Sequence, residues 1–210
     1  VCIVLRLQFC QKVVEVLDHV EHGNDSALGE FSQKLIAGLD TMAGIAATDL
    51  EKGDRIKVTT IITLEIQQRD LIEKFIVDRV ESPDAFAWTS QLRHSLNDEV
   101  GKVHVSICDY ERHYGNEYNG NCGGLVSTTL TERANITLTQ AIRLYLGGAL
   151  LGPAGTGKTE TTKDFARNFG LVYYIFNCSD QITSSNIRHI FLGLAQLGAW
   201  ACLDEFNKIE

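Results

Sequence analysis

The stretch Gly152-Pro153-Ala154-Gly155-Thr156-Gly157-Lys158-Thr159 constrains the fold of this chain more than any other. Its Gly-x-x-x-x-Gly-Lys-Thr spacing lets the backbone turn back on itself, so that several amide N–H groups converge on one anion. A helix starting at the last glycine adds its positive dipole end. In such a pattern the lysine, Lys158, reaches the β- and γ-phosphates of a nucleotide, and the Thr159 hydroxyl takes a magnesium position. Four constrained positions recur by chance in roughly one chain in a hundred of this length, so the flanking elements carry the argument.

A phosphate loop needs a buried strand before it and a helix after it. Ala149-Leu150-Leu151 supplies a short apolar run in the first place, and Thr159 to Phe169, with Phe165 and Phe169 four apart, reads as the helix. A third requirement is a carboxylate at the end of another buried strand. Ala199-Trp200-Ala201-Cys202-Leu203 followed by Asp204-Glu205 has that form. In that arrangement Asp204 binds magnesium and Glu205 orients and polarises the attacking water.

The other elements are consistent with this unit. Leu171 to Phe176 reads as a buried strand, Ser184 to Leu197 as a helix, and Ala199 to Leu203 as the strand carrying the acids. The alternation after residue 145 implies a parallel sheet with its ligand at the carboxyl ends of the strands. Asn177 and Asp180 follow one such end, where they either approach the γ-phosphate or cap the next turn.

Upstream the pattern is helical. Ile3, Val4, Leu7, Val14 and Leu17 form one amphipathic segment closed by Gly23 to Ser26. Ser26 is placed to cap a second, through Phe31, Leu35, Leu39 and Met42 to about Leu50. A third runs from about Arg55 to Val80, with a strand as the alternative over the β-branched Val58 to Ile62. A fourth is expected over Ala85 to Leu96. From Val103 to Ile107 the period becomes two, as in a strand. Tyr110 to Gly124 reads as loop, Leu125-Val126 as a short extended piece, and Thr131 or Asn135 as the cap of a helix to Leu146.

With 19 basic and 27 acidic side chains the net charge is −8, which argues against nucleic acid or an acidic membrane as a partner. Apolar runs fall well short of the ~20 residues of a bilayer span. Six cysteines without a Cys-x-x-Cys pair are expected to be reduced thiols. His19 and His22, with Glu15, make a poor zinc site, since structural sites want four ligands and usually thiolates. Both ends look cut, so the expectation is a piece of something larger.

The run Gly152 to Asp164, together with Phe176-Asn177-Cys178-Ser179-Asp180, Gly193-Leu194-Ala195-Gln196, Gly198-Ala199-Trp200 and Asp204-Glu205-Phe206-Asn207, resembles the first AAA+ module of dynein heavy chains. Asn116-Glu117-Tyr118 and Thr128 to Arg133 resemble the segment that leads into that module. Trp88 through Arg93, and Arg69-Asp70, resemble the carboxyl end of the dynein linker. Three positions depart from the family pattern: Thr129 stands for the usual Pro, Glu132 for Asp, and Gly124 for a basic residue. These bear on the adenine pocket rather than on the phosphates. Cys178-Ser179-Asp180 is closer to the axonemal than to the cytoplasmic members.

The resemblance implies an α/β P-loop NTPase (AAA+) with a parallel sheet, truncated, preceded by a mainly helical linker region. The linker covers residues 1–109 and the amino-terminal part of the module 110–210. It implies ATP and Mg2+ as ligands, held by Gly152, Pro153, Ala154, Gly155, Thr156, Gly157, Lys158, Thr159 and Glu160, with Leu125 and Val126 against adenine. Thr159 and Asp204 are then the metal residues, and Glu205 with Lys158 the catalytic ones. The implied setting is cytoplasm and cytoskeleton, in a cilium or flagellum axoneme. Partners are microtubules and other dynein chains through parts outside this sequence, and a neighbouring AAA+ module in cis. The isolated chain is expected to hydrolyse ATP weakly. The alternative is a regulatory module that holds nucleotide without turnover.

Overall fold

The computed structural model describes residues 2–97, 101–118, 125–179 and 181–208. The chain divides into two compact units, Val1–Glu111 and Arg112–Glu210.

The first unit is built on three long helices, α1 (Cys2–Glu21), α2 (Ala27–Ala46) and α3 (Lys52–Val77). In α1 the residues Phe9, Val13, Leu17 and Val20 recur at helical spacing and bury one stripe. That stripe packs with Leu28 and Phe31 of α2, Ile72 and Phe75 of α3, and Trp88. Ring edges reinforce the core, with Phe75 and Trp88 meeting edge to face at 6.1 Å. The β-branched stretch Val58 to Ile62 is helical, so the strand alternative is excluded there. Ser26 stands at the N-cap of α2 but makes no capping bond to the backbone; its hydroxyl donates to Asn24 and Glu30 side chains instead.

The helix expected over Ala85 to Leu96 does not form beyond one turn, α4 (Phe86–Thr89). Arg93–Asn97 is instead strand β1, paired antiparallel with β2 (Lys102–Ile107) in the register Arg93↔Ser106 to Asn97↔Lys102. Phe86 is largely exposed while Trp88 is buried, so the apolar residues do not share a helical face, and ladder pairing with β2 overrides local helix preference. The loop expected from Tyr110 likewise begins with a third strand, β3 (Tyr110–His113), beside β2.

The second unit carries α5 (Thr129–Arg143), α6 (Lys158–Asn168), β4 (Tyr173–Asn177), α7 (Ser184–Leu197) and β5 (Trp200–Asp204). β4 and β5 pair in parallel, from Tyr173↔Trp200 to Asn177↔Asp204, with α7 as the crossover that parallel strands require. α6 is fastened to β5 by aromatic packing: the Phe165 and Trp200 rings stack at 5.4 Å, and Phe169 lies 5.1 Å from Phe165 and 5.7 Å from Trp200. The turn after α6 needs glycine. Gly170 has φ +63°, and a Cβ there would lie 2.5 Å from the Tyr114 ring.

Two local expectations, the cap of α5 and the strand before the phosphate loop, are corrected in this unit. α5 is capped by Thr128, not by Thr131 or Asn135; Thr131 is the N3 partner in a reciprocal capping box with Thr128. Leu125-Val126 belongs to no strand. Ala149-Leu150-Leu151 is not a strand either, and Leu151 is 94% exposed. An extended segment becomes a strand only when a neighbour takes its N–H and C=O groups, and no described strand lies alongside this one. Asp180, expected just beyond β4, lies outside the described residues.

The described cysteines Cys2, Cys10, Cys108, Cys178 and Cys202 are all free. Among the described residues no helix is long and apolar enough to cross a membrane.

One buried group gives the first unit a pH dependence. His94 of β1 is 2% exposed, neither ring nitrogen has a hydrogen-bond partner among the described residues, and burial, aided by the Arg6 charge, lowers its pKa to about 3. The imidazole is held neutral in the folded state and gains a proton on unfolding at mildly acid pH. Its contribution is therefore complete above the unfolded value near 6.5 and is lost as pH falls from there toward 3. Denaturant unfolding should show the unit about 1.4 kcal/mol less stable at roughly pH 5.5 than at roughly pH 7.5 from this group. His94→Leu should remove that difference, and an unchanged pH slope in the variant would contradict the assignment.

Candidate nucleotide-phosphate site

The loop before α6 is shaped by two glycines in the left-handed region, Gly155 (φ +75°) and Gly157 (φ +79°), where a side chain would be strained. Thr156 closes the turn by donating its hydroxyl to the Pro153 carbonyl at 2.9 Å. Gly157 is the N-cap of α6 and has no side chain to occupy the first-turn amides. Those amides are left for an anion, at the positive end of an eleven-residue helix.

Lys158 folds its ammonium back over the loop, donating to the carbonyls of Gly152 at 3.0 Å and Pro153 at 2.5 Å. Thr159, next along α6, donates its hydroxyl to Asp204 Oδ2 at 2.9 Å, joining the P-loop helix to the end of β5 across 45 residues. A hydroxyl and a carboxylate at this separation are hard oxygen donors suited to a small divalent cation, so the residues fit Mg2+.

Glu205 follows with φ +54°, uncommon for a residue with a side chain. Its backbone N–H donates to Asp204 Oδ1 at 3.0 Å, so both Asp204 oxygens are held. The Glu205 carboxylate is half exposed and pairs with Lys208, of the short 3-10 turn Phe206–Lys208, at 2.5 Å. Burial first, and then the Asp204 charge, push the Cys178 and Cys202 thiols up, which keeps both protonated beside the acids.

The sequence-derived residues are thus partly gathered. Thr159, Asp204 and the Glu205 backbone meet where α6 and β5 come together, while Lys158 bonds the loop that precedes α6 and the Glu205 carboxylate turns to Lys208. Glu160 lines a cavity of about 340 Å3 that it shares with Leu125, placing the Leu125 segment against α6. Val126 is exposed and does not line that cavity. Asn177 pairs in register with Asp204, and the Cys178 N–H donates to the Asp204 carbonyl at 2.9 Å, which orders the strand end under the acid. Two features lie outside the sequence reading. The Lys208 partner of Glu205 is visible in the sequence only as a basic residue three positions on. Asp164 is visible as an acid in helical register with Arg167 and Asn168, without a role.

Residues 114–210 match the sequence family described as the hydrolytic ATP binding site of the dynein motor region. Over 191 residues, 91% of this chain, the sequence is 47% identical to human dynein axonemal heavy chain 9. Over 207 residues, 99% of the chain, it is 47% identical to the dynein beta chain of the flagellar outer arm from Chlamydomonas reinhardtii. Human dynein axonemal heavy chain 8 is 45% identical over 179 residues, 85% of the chain. The chain spans about 4% of the length of each of these relatives. On the strength of that identity, and of the motor-region family matched over its second unit, the chain belongs to the dynein heavy chain family.

Proposed function

We propose that this chain contributes the ATP-binding and ATP-hydrolysing site of a microtubule-based motor, and that nucleotide state at the site is coupled to movement of the preceding linker. The observation that carries the reading is the 2.9 Å hydrogen bond between Thr159 and Asp204, which sets a P-loop hydroxyl and a strand-end carboxylate at one point. The parallel β4–β5 pair supports a P-loop AAA+ fold with a larger parallel sheet. The proposed division is a linker over 1–109 and the module over 110–210. Its microtubule, dynein-chain and neighbouring-module partners, and its place in the cytoskeleton of a cilium or flagellum, are inferred from relatives named as axonemal, ciliary and flagellar dyneins.

In this mechanism Lys158 leaves the Gly152 and Pro153 carbonyls and neutralises the terminal phosphates of ATP. The loop from Gly152 to Gly157 and the first amides of α6 cradle the same oxygens. Leu125 and Val126 flank the adenine, with Glu160 at the start of α6 beside it. Thr159 and Asp204 hold Mg2+, which when bound neutralises charge developing on the phosphates. Glu205 accepts the proton of the attacking water. To do so it must give up Lys208, an exposed pair of the kind worth about 1 kcal/mol or less. That pair also favours a second reading, a module that holds nucleotide with its base engaged elsewhere and does not turn it over.

Turnover decides between them. In a heavy chain carrying this module, Glu205→Gln should still bind ATP and lose microtubule-activated hydrolysis by about 10²–10⁴-fold; unchanged turnover would contradict the role given to Glu205. Lys158→Ala should weaken ATP binding by roughly 10²-fold in a fluorescent-nucleotide titration. Its thermal midpoint should stay within about 2 °C of the parent, because the ammonium bonds only exposed loop atoms. A variant that binds ATP normally would rule out Lys158 as the phosphate ligand.

A further inference from the structure

The segment Leu125 to Thr128 is fixed at both ends although its apolar side chains are exposed. At one end Thr128 caps α5 through the reciprocal box with Thr131. At the other, the Leu125 backbone N–H donates to Asp164 Oδ1 at 3.4 Å. Asp164 sits in the middle of α6 and is itself locked. Arg167 donates to the same oxygen, and Asn168 donates to Oδ2 at 2.9 Å. The Asp164 side chain is 18% exposed, and its bonds to Arg167 and Asn168 are part-buried, whereas the bond from the Leu125 amide is exposed.

Two anchors three residues apart leave Leu125 and Val126 presented on a short, braced span, 37% and 69% exposed. Apolar side chains held this way have no core to fill. A braced segment that meets a flat apolar ligand loses little chain entropy on binding. The brace also ends on the helix whose first residues are Lys158 and Thr159. The Asp164 carboxylate therefore links the segment that would contact the base to the helix that would contact the phosphates.

We propose that Asp164 is a positioning residue for the nucleotide base: by holding the Leu125 amide it fixes the Leu125–Val126 segment against α6, so that base and phosphates are bound as one rigid unit. The inference rests on the nucleotide-site reading above. Asp164 accepts bonds from Leu125, Arg167 and Asn168 and stands nearly two turns along α6 from Lys158, so its loss should act on affinity and not on the chemical step.

The test uses a heavy chain carrying this segment and compares Asp164→Ala, Asp164→Asn and Leu125→Ala. Asp164→Ala should raise KM for ATP roughly five- to tenfold with kcat within about twofold. Asp164→Asn keeps an acceptor oxygen for the Leu125 amide and should recover most of the affinity. Inorganic tripolyphosphate, which has no base, should compete equally well in parent and Asp164→Ala. An unchanged KM in Asp164→Ala, with a raised KM in Leu125→Ala, would overturn the role of Asp164 and leave the base contact standing. An unchanged KM in both would overturn the base contact and this proposal together. A fall in kcat at constant KM, or an equal loss of tripolyphosphate binding, would mean that Asp164 supports the loop or the helix as a whole, and would also overturn it.

Discussion

Packing of Phe165 and Phe169 against Trp200, one ring stacked and the other tilted, is the interaction on which the second unit's proposed chemistry depends. Those rings fasten the P-loop helix to the strand whose last residue is Asp204, and Trp200 opens that strand as Asp204 closes it. Once helix and strand are set in this register, the Thr159 hydroxyl meets the Asp204 carboxylate without further adjustment. An aromatic cluster is a suitable clamp for the purpose, because its large rings supply most of the burial in a small sheet and tolerate little sliding.

The polar detail around that clamp is directional. Both Asp204 oxygens accept bonds, one from Thr159 and one from the Glu205 amide, so the carboxylate cannot rotate freely. Glu205 takes the left-handed backbone conformation immediately afterwards, a local cost that a strand end carries more readily than a strand interior. Lys158, by contrast, rests on carbonyls of its own loop, which in the proposed mechanism it exchanges for more strongly charged oxygens. The site therefore combines a fixed acid with a movable cation.

Much of this is legible in the residues, and the failures have physical causes. Ser184–Leu197 is a helix with the expected bounds, and the strands at Tyr173–Asn177 and Trp200–Asp204 fall within two residues of expectation, because apolar runs bounded by Gly, Asn and Asp are local signals. Lys158, Thr159 and Asp204 stand out by their spacing, because phosphate chemistry restricts the residue types; the fold joins Thr159 to Asp204 and leaves Lys158 on its own loop. Arg93–Asn97 reads as helix in the sequence because its strand character comes from pairing with Lys102–Ile107, a non-local cause. The apolar run before the phosphate loop misleads in the same way: Ala149-Leu150-Leu151 has strand composition but no described neighbour to pair with. The tie from Asp164 to Leu125 spans 39 positions and leaves no periodic trace at all.

The central claim is that Thr159 and Asp204 act as one cation-binding unit. A double-mutant cycle on the Mg2+-dependent affinity for ATP, with Thr159→Ala, Asp204→Asn and the double variant in the intact heavy chain, tests it most directly. The account predicts that the double variant is little worse than the poorer single one, because either change dismantles the same site. Fully additive losses, or Mg2+ dependence left intact in both single variants, would contradict it.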